Sequence, residues 1–317
     1  MALRNSIFAV SGNASFLDAR RDMSGLFVCD KTTMLPVAGI LDSSQDNLVS
    51  GNSNSMSVTV HPFNAVLNRY GALLIQNDGD VKVPLDAAPS ANSRIDVVYV
   101  KQHETRPPMS DDSDFPVFGV MKGVAAATPV APSVPSGALA LAQVLLPAGV
   151  SNTAAAGVVI TQTYIGAAMK GDMLRVQTSA QRDALPKVPD GTLVHNVADG
   201  CDYVRKGDKW RGWNMPWRDI HLGSNNKVNM WASGGTGHID MLTASINLTG
   251  WGSKVVVGQV NNSAFYPANP ESVYAPTRDS YSPTNAGVAN NGNVYIEYAG
   301  GPSGSRTVSP IFAYNIG

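Results

Sequence analysis

The acidic residues of this chain constrain its fold more than any other feature: there are 21 Asp but only three Glu, namely Glu104, Glu271 and Glu297. Glu favours helices, whereas Asp favours turns and caps. Thirty Gly and twenty Pro in 317 residues point the same way. The chain therefore reads as a turn-rich, mainly β protein. Charged residues make up 15% of it, against roughly 25% for an average soluble protein, so Ser, Thr, Asn and Gly must supply much of the polar surface. A formal charge of −1 leaves no net field to hold a polyanion, which argues against nucleic-acid binding driven by phosphate neutralisation.

Cys29 and Cys201 stand far apart and form no paired pattern, so neither a disulfide framework nor a zinc site is expected. The start, Met1-Ala2-Leu3-Arg4-Asn5, precedes no apolar core of signal-peptide length, and no run nears the ~18 apolar residues of a membrane span. The expectation is a chain made in a cytoplasm that does not leave by classical secretion.

Chain order predicts a short helix over 14–24, stopped by Gly25, followed by short strands. These are Ser57–His61, Ala72–Gln76, Val81–Leu85, Arg94–Lys101, Pro116–Gly123, Ala138–Leu146 and Val158–Thr163. The Pro-rich run 128–136 can be neither helix nor central strand. Met169–Leu185 offers a second helix, though of poor period. Three compact strands follow at Gly191–Val197, Asp202–Arg205 and Lys209–Trp213, too small a sheet to stand alone. Further strand-like runs are His238–Leu242, Lys254–Val260, Asn293–Tyr298 and Ile311–Ile316. The expected layout is a β-rich domain at 1–165, a small β neck at 166–214 and a β-sandwich head at 215–317.

No nucleotide-binding, zinc-protease or nucleophile-elbow motif is present. Gly234-Gly235-Thr236-Gly237 lacks the Lys of a phosphate-binding loop and reads as a loop; His238-Ile239-Asp240 could place two polar groups on one strand face, but reads rather as an exposed strand edge. Asp111-Asp112-Ser113-Asp114 lacks the Gly and distal Glu of a calcium loop and reads as a solvated one. With Glu so rare, paired glycosidase carboxylates are unconvincing. Neither an enzyme, a metal nor a cofactor is expected.

Aromatics carry the remaining signal. All five Trp lie between Trp210 and Trp251, and seven of the ten Tyr follow residue 200. Sugar rings present apolar C–H faces that stack on exposed aromatics. Trp231, Trp251, Tyr266, Tyr274 and Tyr281 sit in or beside Asn/Ser/Gly-rich stretches and are the candidate carbohydrate-binding residues. Trp210, Trp213, Tyr295 and Tyr298 read instead as β-core residues.

Several segments in order resemble the tail-tip, receptor-binding minor tail proteins of siphophages that infect Gram-positive, especially actinobacterial, hosts. They are Ala19-Arg20-Arg21-Asp22 with Ser24-Gly25-Leu26-Phe27, Met56–Val60, Gly71–Ile75, and the strand opening Arg94-Ile95-Asp96. The Pro-rich turn then leads to Leu146-Pro147-Ala148-Gly149. A linker-like stretch follows at Ala180–Pro186 and Asp190–Val194, then Tyr274–Asp279, Gly292–Ile296 and Phe312. The resemblance implies a homotrimeric virion protein, released by lysis, whose residues 1–165 dock to other tail or baseplate proteins. Its head would bind a host cell-wall glycan. A baseplate subunit without receptor contact and a wall-polysaccharide depolymerase are the alternatives.

Overall fold

In the computed structural model, which describes residues 15–41, 47–224, 226–248, 250–275, 284–300 and 304–317, the chain is 47% strand and 6% helix. The mainly β reading holds. Two compact units divide the chain, 1–192 and 193–317. The segment read as a neck is shared between them.

The first unit opens with the helix Phe16–Ser24. Ser15 caps it reciprocally with Asp18: the Asp18 carboxylate accepts from the Ser15 N–H at 2.9 Å, and the Ser15 hydroxyl accepts from the Asp18 N–H at 3.3 Å. Its underside, with Met23, covers a small cluster of Phe27, Val66, Ala72 and Ala167. Three antiparallel sheets follow. One orders Gly39–Ile40, Phe63–Asn68 and Ala72–Asn77; a second orders Val49–Gly51, Ser57–Val60 and Val81–Pro84. The largest orders Val159–Gln162, Leu139–Leu146, Arg94–Gln102 and Pro116–Met121. Val58, Val60, Phe63, Leu67, Val98 and Leu141 anchor one core.

Two polar devices hold this unit. Arg94 and Asp96 are both buried; the carboxylate accepts from Arg94 Nε at 3.0 Å and from the Gly123 N–H at 2.9 Å. Nη2 donates to the same carboxylate at 3.0 Å and to the Asp86 carbonyl at 2.6 Å, and Nη1 to the Ala87 carbonyl at 2.6 Å. The second device ties the helix to the sheet: Arg20 and Arg69 share Glu104, and Asp111 accepts from Arg69 and from Lys101, the latter at 2.7 Å. Burial pushes the Asp111 carboxyl up, but the hydrogen bonds from Lys101, the Glu104 N–H and Arg69 outweigh it and hold it below the usual carboxylate range. The loop is solvated, as read, at Asp112 and Asp114, which are exposed and accept from His103 and the Thr105 N–H, each at 2.7 Å; Asp111 alone is drawn into the network.

Met169–Leu185 is not one helix. It holds the strand Leu174–Val176 and a five-residue helix, Ser179–Asp183, capped by Thr178. Gly171, Val176 and Thr178 have low helix propensity, and no periodic apolar face offsets it.

In the second unit, Leu193–Asn196, Cys201–Lys206, Lys209–Asp219, Lys227–Ser233 and Thr236–Leu248 lie side by side, all antiparallel. The long last strand pairs with Ile311–Asn315 along its first half and Gly304–Val308 along its second. A second sheet orders Lys254–Gln259, Asn293–Tyr298, Thr284–Val288 and Glu271–Tyr274. The sheets join where Leu222 N–H donates to Val257 O at 2.8 Å and Gln259 N–H to Ile220 O at 2.9 Å. Gly212 lets the Phe265 ring press on its backbone; a Cβ there would lie 2.3 Å from the ring.

Tyr203 is fully buried: its hydroxyl donates to Asp199 at 2.5 Å and accepts from Asn262 at 2.7 Å. Beside it, burial pushes the Cys201 thiol up to about 12.

Two predictions follow from these buried groups. Asp96→Ala leaves the Arg94 charge buried without a counter-ion, so urea unfolding should show a loss of ~3–5 kcal/mol; a loss below ~1 kcal/mol would contradict this account. The Cys201 value lies above the ordinary thiol range near ~8.5. The stability gained from keeping this thiol neutral is therefore complete below about that pH and declines as pH rises toward the folded value. At pH 8, Cys201 should resist iodoacetamide in the native protein and react on unfolding; equal rates in both states would refute its burial.

Candidate functional site

Alternation decides what the second unit shows to solvent. Along Lys227–Ser233 the side chains of Val228, Met230 and Ala232 are buried, which turns Asn229, Trp231 and Ser233 outward. On the next strand Ile239 and Met241 are buried, so His238 and Asp240 share that outer face. Register sets Trp231 opposite His238 and Asn229 opposite Asp240. On the other flank Asp219 pairs with Asn229, which places Trp217 beside Trp231.

Three rings stand upright on this face as one stack. Trp217 and Trp231 lie 4.8 Å apart at 16°, and Trp231 and His238 lie 4.9 Å apart at 7°. They come from three adjacent strands, so both faces of Trp231 are covered by its neighbours. Trp217, 54% exposed, presents the open tryptophan face at the end of the stack. A polar row, Asp219, Asn229 and Asp240, runs alongside it. Asp219 accepts from His221 Nδ1 at 2.5 Å and from the His221 N–H at 3.0 Å, and these bonds hold its carboxyl below the usual range. It is a fixed acceptor at neutral pH.

Of the aromatics singled out in the sequence, Trp231 is the centre of this stack rather than a free platform. Trp251 lies in a turn, 81% exposed. Tyr266 follows the short helical turn Ser263–Phe265 and lies half-buried, its ring against Gly292. Tyr274 ends the strand Glu271–Tyr274, and Tyr281 lies outside the described residues. Neither Trp251 nor Tyr266 joins the stack. Trp210, Tyr295 and Tyr298 are buried; Trp213 is half-buried near Gly235.

Sequence reasoning missed Trp217; for His238 and Asp240 the favoured reading was a strand edge, and the structure instead bears out the other one, two polar groups on one strand face. His238 and Asp240 lie on the face of an internal strand, not along a sheet edge, and Gly234-Gly235 is the tight turn of the hairpin that carries them. Both glycines have positive φ, 58° and 79°, as such a two-residue turn requires. That turn directly before Thr236-Gly237-His238 was the signal available for placing His238 opposite Trp231.

No family model matches the chain, and a search of curated proteins finds no significant match.

The stack predicts an asymmetry between its two tryptophans. Trp231→Ala removes two ring contacts, each worth ~0.5–1.5 kcal/mol, whereas Trp217→Ala removes one. Urea unfolding should show the larger loss for Trp231→Ala. Equal losses would contradict the central place of Trp231 in the stack.

Proposed function

We propose that this protein is a non-enzymatic tail-tip subunit of a phage that infects a Gram-positive host, and that it binds a cell-surface carbohydrate. The observation that carries the proposal is the Trp217–Trp231–His238 stack beside Asp219, Asn229 and Asp240. The open face of Trp217 offers an apolar plate for the C–H face of a sugar, and the adjacent carboxylates and amide accept from and donate to its hydroxyls. A neighbouring ring at van der Waals distance holds the plate upright, so little side-chain entropy is lost on binding.

The resemblance in sequence supplies the setting. Residues 1–165 dock to tail or baseplate proteins, and 166–214 form the neck. The head at 215–317 works with the strands from residue 193 that share its compact unit. The working form is a homotrimer on the virion. Trimerisation suits a shallow, exposed site: linked copies on a repetitive polymer gain ~10²–10⁴ in avidity without new contacts.

The test is co-sedimentation of the full-length protein with purified Gram-positive cell walls, alongside native mass measurement. Saturable binding by a trimer, weakened at least tenfold by Trp217→Ala, is the expected result. A folded protein that binds no wall preparation would favour a baseplate subunit without receptor contact. Release of reducing ends from the wall would assign a depolymerase instead.

A further inference from the structure

A cleft of about 790 Å³ opens on the second unit between the strand Ile311–Asn315 and the residues Val273 and Ala275, within the ~300–1,000 Å³ range of ligand sites. Its rim is aliphatic, with Ile311 69% and Leu242 51% exposed and Pro310 between them. Phe312 is the one aromatic among the described residues lining it, and its ring is buried.

The floor of this cleft is a sheet edge. Met241 N–H donates to Pro310 O at 3.0 Å and Ile316 N–H to Gly235 O at 3.1 Å. Residues 310, 312, 314 and 316 therefore turn their backbone groups into the ladder, and 311, 313 and 315 turn theirs away from it. Glu271 covers the far end, where its carboxylate accepts from the Asn315 N–H at 3.1 Å. The N–H and C=O groups of Ile311 and Ala313 find no partner among the described residues. Unpaired edge groups two residues apart match the repeat of an extended strand. Asp240 is the one ionisable side chain among the described residues lining the cleft.

We propose that this cleft binds an extended polypeptide segment of a partner protein by strand addition along Ile311–Ala313. The segment alternates apolar and polar side chains and carries a basic residue facing Asp240. Main-chain hydrogen bonds supply the affinity, and the aliphatic rim and the carboxylate supply the choice of sequence. The proposal goes beyond the glycan reading and stands whether or not that reading holds.

The full-length protein is titrated with a panel of hexapeptides that alternate Val and Thr, half of them carrying one Lys and half one Glu. Saturable binding that favours the Lys set, with hydrogen exchange at the Ile311 and Ala313 amides slowed at least tenfold, is expected. Ala313→Pro removes an outward N–H that no ladder bond uses, so it should abolish binding; Asp240→Asn should erase the preference for Lys. The proposal is overturned if no peptide of either set binds, if binding protects other amides, or if a folded Ala313→Pro binds as well as the parent. Protection of the same two amides by wall polysaccharide, or by self-association of the protein, would also overturn it.

Discussion

Side-chain alternation on the strand Lys227–Ser233 is the constraint on which the surface of the C-terminal unit depends. Burying Val228, Met230 and Ala232 leaves Trp231 no position but the outer face. A slip of one residue would send Trp231 into the core and Met230 to solvent, and would dismantle the stack with Trp217 and His238. Because burial of the inner set costs nothing in unpaired polar groups, register is specified by the core, and the outer face inherits it.

The same ladder governs the edge along Ile311–Ala313. Pairing of Thr236–Asp240 with Ile311–Asn315 determines which backbone groups of the last strand face inward. It thereby leaves Ile311 and Ala313 pointing into the cleft while Glu271 covers Asn315. Two surfaces of different chemistry, an aromatic stack and an aliphatic edge cleft, thus adjoin at Asp240. The first is the surface proposed for a sugar ring, the second the surface proposed for an extended backbone.

Much of the first unit was legible in the sequence because its strands carry their own signal. Arg94-Ile95-Asp96-Val97-Val98-Tyr99-Val100 is rich in β-branched residues, and Gly25 marks where the first helix stops. Lys227–Ser233 was not legible: Lys, Asn, Met and Ala have weak strand preference, and only pairing on both sides makes it a central strand. Met169–Leu185 misled in the opposite sense, since its Ala, Gln, Met and Leu favour helix locally while the fold uses Leu174–Val176 as strand. The aromatic site was half visible. Abundance of Trp points to the right region and to Trp231, but also to loop residues such as Trp251, whereas Trp217, Trp231 and His238 meet only through the register of three strands. Composition records which residues are available, and register decides which of them touch.

The most direct measurement is a tryptophan-fluorescence titration of the full-length protein with purified wall polysaccharide. A sugar seated on the open face of Trp217 changes the environment of the stacked pair, so the account predicts a saturable shift in emission that disappears when Trp217 is replaced by alanine. Polysaccharide that binds with no change in emission, or with the same change in the alanine variant, would place the adhesive surface elsewhere and contradict the account.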